Sequence, residues 1–182
     1  MGTSFPTVIS FATPAYKEHM ARLRQSLEKF GLPHHLMEVE DAGGWVKNCG
    51  RKAQFVFECL YDKGSSVLWL DADAEVMQYP ADFRDRNFSF AICDRGKPLG
   101  FGSGTVYFAP ASLPLVGIWR SLVDKYPEEI DQVLLQRAWW WMKERQCAPY
   151  TYWLPPSYLQ KIDNPEGAVI LHHQASRQLR KK

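Results

Sequence analysis

The sequence feature that most constrains the fold is the segment VLWLDADAEV, which spans Val67 to Val76. Four large apolar residues in a row, 67–70, are typical of a strand that is buried on both faces, as in the parallel sheets of α/β proteins. The apolar run leads directly into two carboxylates, Asp71 and Asp73, with no Lys or Arg close to them in the sequence. The segment therefore predicts a central strand with acidic groups at its carboxyl end.

The rest of the chain alternates between strand and helix patterns. Short apolar runs predict strands at 8–13, 34–39, 67–71, 88–93, 105–108 and 168–172. Apolar residues at helical spacing predict helices over 16–30, around 53–60, and over 112–126 and 131–143. This order favours an α/β fold with a mostly parallel mixed sheet flanked by helices. A chain of 182 residues suits one domain, 1–182, with a basic tail from about 177 to 182.

Composition narrows the classes of function. The formal net charge is only +2, which argues against a general affinity for nucleic acid or membrane surfaces. The N-terminus lacks the pattern of a signal peptide, and no apolar stretch approaches the ~20 residues of a membrane span, so we expect a cytoplasmic protein. The cysteines form no C-x-x-C pair, which favours reduced thiols over disulfides or a zinc site. They are Cys49, Cys59, Cys93 and Cys147.

The acidic pair has a physical reason to bind a metal ion. Residues i and i+2 of a strand share a face, so a regular strand would point both carboxylates the same way. Two anions at that distance repel each other unless a cation lies between them or one takes a proton. A divalent metal with oxygen ligands removes the conflict. The alternative is a solvated turn or a helix N-cap, since D-x-D alone is a common pattern.

Two histidines end the last apolar strand, in the segment AVILHHQASRQLRKK. We expect one of them, His172 or His173, to face the same cleft as the aspartates. A neutral imidazole beside two carboxylates makes a site that suits manganese at least as well as magnesium. Beyond the strand, Arg177 could neutralise a phosphate group. The alternatives are a structural histidine and a basic tail that only solvates the chain end.

Other segments carry weaker signals. Asp131 and Gln132 open a helix, where Asp is either an N-cap or, with Gln132, a group that holds sugar hydroxyls. Lys52 belongs to a basic helix segment whose default interpretation is a solvated face. The segment 100–104 (GFGSG) is expected to be a glycine-rich loop that lets the backbone approach a ligand closely. The tryptophans at 139–141 cannot all face one side of a helix, so at least one is exposed or lies in a groove.

Five segments in order, VLWLDADAEV, GSGTVYF, DQVLLQ, WLPPSY and ILHHQASR, carry a resemblance to a known family. The chain resembles the nucleotide-diphospho-sugar glycosyltransferases of GT-A fold, in the group of glycogenin-like and bacterial galactosyl and glucosyl transferases. The similarity spans nearly the whole chain. It implies a single GT-A (Rossmann-like) domain that uses Mn²⁺ or Mg²⁺. The implied reaction moves a sugar, most simply a hexose from a UDP-sugar, to an acceptor hydroxyl.

The resemblance also implies a role for each matching residue. The implied metal ligands are Asp71, Asp73 and His172. The implied donor contacts are Thr13 for the base, Asp71 for the ribose, Lys52 for phosphate or sugar, Gln132 with Asp131 for the sugar, and Ser176 with Arg177 for the pyrophosphate. Asp73 and Asp131 would be the catalytic residues.

The stereochemistry depends on one of these carboxylates. If Asp131 takes the acceptor proton, the enzyme inverts the anomeric configuration, and if Asp131 only holds donor hydroxyls, the enzyme retains it. The resemblance favours retention. The acceptor stays open between a small molecule and a polymer such as a polysaccharide, a protein or a modified DNA base.

Two other classes of function fit parts of the sequence. A non-catalytic module could bind nucleotide sugars, or bind nucleic acid through the basic tail and exposed tryptophans, with the steep salt dependence of phosphate contacts. A phosphatase of the haloacid-dehalogenase kind also places a D-x-D after an apolar strand. That pair usually ends the first strand and is followed two residues later by Thr or Val. Here the pair begins at Asp71, and Glu75 occupies that later position.

Overall fold

The structure is a computed structural model, and it describes residues 5–84 and 87–176. Within those residues the chain forms nine strands and four α-helices. In order, they are β1 (Thr7–Ala12), α1 (Lys17–Lys29), β2 (His34–Glu38), α2 (Trp45–Lys63), β3 (Val67–Leu70), β4 (Ala74–Val76), β5 (Phe90–Asp94), β6 (Phe101–Phe108), α3 (Leu113–Lys125), α4 (Asp131–Glu144), β7 (Thr151–Trp153), β8 (Gln160–Lys161) and β9 (Ile170–His172).

Six of these strands form the central sheet, in the order β2-β1-β3-β6-β5-β7. The pairs β1–β2, β1–β3 and β5–β7 are parallel, while β3–β6 and β5–β6 are antiparallel. Thus β6 alone runs against the other five strands. The predicted α/β class with a mostly parallel mixed sheet flanked by helices is confirmed. A second, three-stranded sheet has the order β4-β9-β8.

The run of four apolar residues in β3 is explained by layers on both faces of the sheet. Val67 and Trp69 pack into the cluster formed with α2, α3 and α4. Leu68 and Leu70 pack on the opposite face, against α1 and the small sheet. All four side chains are buried. Because both faces are covered, β3 has no polar face to show in its sequence.

The glycine-rich segment 100–104 is not a loop, which corrects the expectation from its composition. β6 begins at Phe101 and includes Gly102, Ser103 and Gly104. These glycines allow side chains from the small sheet and its flanking segment to lie directly on the strand, since a β-carbon at Gly102 would collide with the side chain of Leu159. Gly102 and Gly104 therefore serve packing across the sheet, whereas Gly100, with a φ of +64°, closes the turn between β5 and β6.

Several further expectations from the sequence can be compared with the structure. The helix starting at Asp131 is confirmed, and of its three tryptophans Trp139 is buried while Trp140 and Trp141 are exposed. All four cysteines are free thiols.

The strands β4, β7 and β8 were not expected, because they are only two or three residues long. Across the described residues, no helix combines enough length with enough apolar character to cross a bilayer. Arg177 and the rest of the basic tail lie outside the described residues.

We predict that Trp119→Phe destabilises the fold. Trp119 is fully buried, stacks on Phe108 and donates its Nε1–H to the backbone carbonyl of Asp131 at 2.9 Å. The change removes that hydrogen bond and leaves unfilled volume, so the free energy of unfolding should fall by about 1–3 kcal/mol in urea titrations. The exposed control Trp141→Phe should stay within about 0.5 kcal/mol. Equal stability of the two variants would contradict this account.

Candidate active site

The two aspartates of the D-x-D motif lie in a tight turn and not on a continued strand, which corrects the strand argument. The N–H of Ala74 donates to the carbonyl of Asp71 at 2.8 Å and closes the turn. The N–H of Asp71 is held by the carbonyl of Gly104 at 2.9 Å. The turn connects β3 to β4 and passes from the large sheet to the small one. It keeps both carboxylates at the carboxyl end of β3.

His172 joins the two aspartates through the pairing of the small sheet. In the antiparallel register of β4 and β9, Ala74 lies opposite His172. The side chains of Asp71, Asp73 and His172 each offer one ligand atom, and those atoms lie within 4.8 Å of one another. One oxygen of Asp73 also accepts the N–H of Ala175 at 2.8 Å. Three potential metal ligands from two sheets therefore converge, as the sequence predicted.

The hydrogen bonds around His172 fix which ring nitrogen is free. The hydroxyl of Thr105 donates to the carbonyl of Tyr158 at 2.7 Å, so its lone pair faces Nε2 of His172 at 3.1 Å. Nε2 must then carry the proton, and Nδ1 keeps a free lone pair. Burial lowers the pKa of His172, although Asp71 and Asp73 oppose this effect. The ring is therefore neutral and able to act as a ligand near neutral pH.

Gly104 lies directly against this imidazole ring. A β-carbon at Gly104 would lie 2.7 Å from Cε1 of His172, 3.0 Å from its Nδ1 and 3.2 Å from Oδ2 of Asp71. The absence of a side chain is thus what lets the ligand atoms approach one another. His173, in contrast, binds Glu75 through Nε2 at 2.7 Å and is not part of the cluster. The geometry separates the two histidines that the sequence left as alternatives.

Lys52 pairs with two carboxylates of the site, which differs both from the solvated face that the sequence suggested and from the donor contact that the resemblance implied. Its side chain is buried, and its Nζ lies 3.0 Å from Oδ1 of Asp71 and 3.0 Å from Oδ2 of Asp131. Nζ also donates to the carbonyl of Ser103 at 3.2 Å. Burial alone would lower the pKa of Lys52, but Asp131 and Asp71 outweigh burial and raise this pKa above its ordinary value.

The two carboxylates that bind Lys52 are held by different elements. Asp131 lies in the first turn of α4, where Ile130 is the N-cap residue, so the N-cap interpretation of Asp131 is wrong. Asp71 accepts a further hydrogen bond from Nε1 of Trp69 at 2.8 Å. Burial alone would raise the pKa of Asp71, yet the ammonium of Lys52 outweighs it and lowers that pKa. Asp71 is therefore ionised at neutral pH.

A cleft of about 630 Å³ opens beside this cluster at the carboxyl end of β3. The structure brings every described residue of the predicted site to its wall. These residues are Thr13, Lys52, Asp71, Asp73, Asp131, Gln132, His172 and Ser176. Arg177 lies outside the described residues. The convergence agrees with the predicted site, while the role of each residue stays a prediction.

Several residues of the cleft were not expected from the sequence. Tyr16, Trp45 and Asn48 line one part of it, and Arg95 and Lys161 line another. For Trp45 the sequence contains a weak indication of a place in the site, since this residue follows two glycines and begins α2. The others come from segments that sequence alone cannot bring together.

No protein-family model and no curated protein matches the sequence. Among solved structures, one similar chain is described as a glycosyltransferase involved in the glycosylation of the major capsid of PBCV-1. It has a TM-score of 0.69 and 16% identity, over 97% of this chain and 98% of that one. Another is the glycosyltransferase GlyE of Streptococcus pneumoniae TIGR4, with a TM-score of 0.60 and 17% identity, over 94% of this chain and 55% of GlyE. The chain therefore shares the fold of these two glycosyltransferases and spans about half of the second.

We predict that Lys52→Met strongly destabilises the protein at neutral pH. The change leaves the buried carboxylate of Asp131 without its cation, which should cost about 3–5 kcal/mol of unfolding free energy. The exposed control on the same helix, Lys47→Met, should change little.

The pH dependence of this loss has a defined sign. Lys52 lowers the pKa of Asp71, so the wild type gains stability above the ordinary carboxyl value of about 3.9 and loses it as pH falls. Lys52→Met lacks this contribution, so the difference in unfolding free energy between the wild type and the variant should become smaller as the pH falls. Urea titrations from neutral to acidic pH measure this difference in unfolding free energy. A difference that does not change with pH would contradict the coupling between Lys52 and Asp71.

Proposed function

We propose that this chain is a metal-dependent glycosyltransferase that moves a sugar from a nucleotide-diphosphate donor to an acceptor hydroxyl. A UDP-sugar is the favoured donor, with a hexose as the transferred sugar and retention at the anomeric carbon. The observation that carries the proposal is the cluster of Asp71, Asp73 and His172 at the mouth of the 630 Å³ cleft. The fold that the chain shares with two glycosyltransferases supports the same reaction class.

The residues of the cluster fit a divalent cation such as Mn²⁺ or Mg²⁺. Two carboxylates and one neutral imidazole form a mixed oxygen and nitrogen ligand set, which suits manganese in particular. The bare backbone of Gly104 leaves room for the ligand atoms to converge. Charge favours the same conclusion, because the one ammonium of Lys52 is divided between Asp71 and Asp131, while Asp73 adds a further carboxylate beside them.

A cation held there would supply Lewis-acid stabilisation of the charge that develops on the leaving diphosphate. The protein's own groups would bind and orient the donor. We assign the base to the wall near Thr13, the sugar to Gln132 and Asp131, and the diphosphate to Ser176. Arg177, which follows Ser176 directly, stays a predicted diphosphate contact.

The ion pair of Asp131 bears on the stereochemistry. Asp131 is buried, and its Oδ2 is occupied by Nζ of Lys52 at 3.0 Å. Asp131 is therefore better suited to hold donor hydroxyls than to deprotonate the acceptor, which favours retention. Lys52 acts in this proposal as a positioning residue, since it is occupied by Asp71, Asp131 and the backbone of Ser103.

The proposal is tested by thermal shift and by donor hydrolysis. The wild type should be stabilised by UDP-glucose or UDP-galactose in the presence of MnCl₂, since a ligand of the folded state at 100 times its Kd adds about 2.7 kcal/mol. UDP release without an added acceptor then separates a transferase from a module that only binds the donor. Absence of both responses across UDP-, GDP- and ADP-sugars would contradict the proposed function.

We predict that Asp73→Asn abolishes manganese-dependent stabilisation and UDP release while the fold is kept. The amide oxygen can still accept the N–H of Ala175, so the turn survives, but the negative charge is lost. Circular dichroism checks the fold. The matched control is Glu75→Gln, which lies two residues further along the chain and outside the cluster. Unchanged manganese dependence in Asp73→Asn would remove Asp73 from the metal site.

We predict that Gly104→Ala weakens manganese binding by about 10- to 100-fold, the range seen when the groups that orient metal ligands are changed. The added methyl group would displace the ring of His172, which is held by Thr105 and cannot move freely. The control Gly117→Ala lies in α3 with open space around its β-carbon and should keep wild-type affinity. Calorimetric titration with MnCl₂ measures the manganese affinity of both variants. Equal affinities would contradict the need for space beside His172 at Gly104.

A further inference from the structure

A cluster of partly exposed tryptophans lies outside the catalytic cleft. Trp140, Trp141 and Trp153 are 50%, 46% and 43% exposed. Trp140 and Trp153 both pack against the buried ring of Trp139, with centroids 5.1 and 5.4 Å from it. Indole rings gain free energy when their faces are covered, so a concentration of exposed rings indicates a binding surface.

Trp140 and Trp141 form part of a defined hollow on the outer side of α4. The hollow has a volume of about 400 Å³. Its lining consists of Val133, Gln136, Arg137, Trp140, Trp141 and Glu144. We call this set the indole hollow. It combines flat apolar surfaces with an amide, a guanidinium and a carboxylate, which can donate and accept hydrogen bonds around a ligand.

The indole hollow is connected to the catalytic cleft through α4. Gln132 lines the cleft, while Gln136 and Trp140 follow it at intervals of four residues on nearly the same side of the helix. Eight residues of helix cover about 12 Å, so Trp140 lies roughly that far from Gln132 along the axis. Gln136 also accepts the N–H of Phe101 at 3.2 Å, next to Gly102 in the cleft wall.

The charges of the hollow indicate a neutral polyol and not a polyanion. Arg137 is already paired with Glu129 at 3.1 Å, and the guanidinium of Arg145, 4.0 Å from the ring centre of Trp141, is balanced by the carboxylate of Glu144 in the lining. A nucleic acid strand would need a surface with excess positive charge as well as aromatic rings. A saccharide instead offers apolar C–H faces that cover indole rings, and hydroxyl groups that bind amide, guanidinium and carboxylate groups.

We propose that the indole hollow binds a saccharide segment of the acceptor, so that the acceptor is an oligosaccharide or polysaccharide chain. The proposal rests on the proposed glycosyltransferase function and names its acceptor class. A chain that spans from Trp140 to the catalytic cleft places its terminal hydroxyl near the donor, while inner sugars occupy the hollow. Its length along α4, about 12 Å, is that of a few linked sugar rings.

The test uses the full chain and hexasaccharides of glucose, mannose, xylose and N-acetylglucosamine. Binding is followed by tryptophan fluorescence, and turnover by UDP release with and without each hexasaccharide. We expect at least one hexasaccharide to bind the wild type and to raise turnover. Trp140→Ala and Trp141→Ala should each weaken its Kd and raise its KM about three- to tenfold, the effect of one lost aromatic contact. Both variants should keep wild-type UDP release in the absence of saccharide.

The control is Tyr61→Ala, which removes a ring that is 68% exposed on α2, and it should keep wild-type Kd and KM. The acceptor proposal is overturned if no hexasaccharide binds the wild type, or if Trp140→Ala and Trp141→Ala bind as well as Tyr61→Ala. It is also overturned if Trp140→Ala changes the oligomeric state in light scattering and leaves saccharide affinity unchanged, since the hollow would then be an interface between copies. Absence of UDP release by the wild type is the separate failure of the proposed function, because saccharide binding is measured without any donor.

Discussion

The ammonium of Lys52 lies 3.0 Å from the carboxylates of both Asp71 and Asp131, and the rest of the site depends on this arrangement. The three residues come from α2, from the turn after β3 and from the first turn of α4. A single buried cation therefore holds together three elements that approach the cleft from different directions. Removing it would leave buried negative charge, which a protein interior tolerates poorly. The ion pairs thus link the stability of the fold to the geometry of the site.

A second constraint acts on the other side of the D-x-D turn. The pairing of β4 with β9 places Ala74 opposite His172, and the bond from Thr105 to Tyr158 orients the imidazole. Gly104 completes the arrangement by leaving space that any side chain would fill. Because β6 supplies both Thr105 and Gly104, the geometry of the cluster depends on the one strand of the six-stranded sheet that is antiparallel to the other five. The close contacts of Gly104 with His172 and of Gly102 with Leu159 explain these two glycines of β6.

The sequence predicted those parts of the structure that depend on local patterns. The buried strand β3, the helices and the acidic pair at a strand end followed from apolar runs and motif spacing, while His172 as the third member of the cluster was implied by the resemblance. The position of Lys52 could not be predicted from local patterns, because it depends on how α2 packs against the sheet. The segment 100–104 was predicted to be a loop because glycine usually indicates a turn, which holds for Gly100, whereas Gly102 and Gly104 lie in a strand and allow close contact with neighbouring side chains. The shortest strands carry too few residues for any periodic signal.

The two hollows beside α4 differ in chemistry, and under the proposed function this difference would suit a charged donor and a neutral acceptor. The candidate active-site cleft is lined by four aspartates and by Lys52, Arg95 and Lys161, and Lys52 is already paired with Asp71 and Asp131. Under the proposed function, a bound cation would offset the acidic cluster beside an anionic diphosphate. The indole hollow has nearly balanced charges and exposed rings, so it disfavours the same diphosphate and favours a neutral polyol. One helix provides Gln132 to the first and Trp140 to the second. A donor and an acceptor that differ in charge would therefore be sorted between the two hollows by electrostatics before either is positioned for reaction.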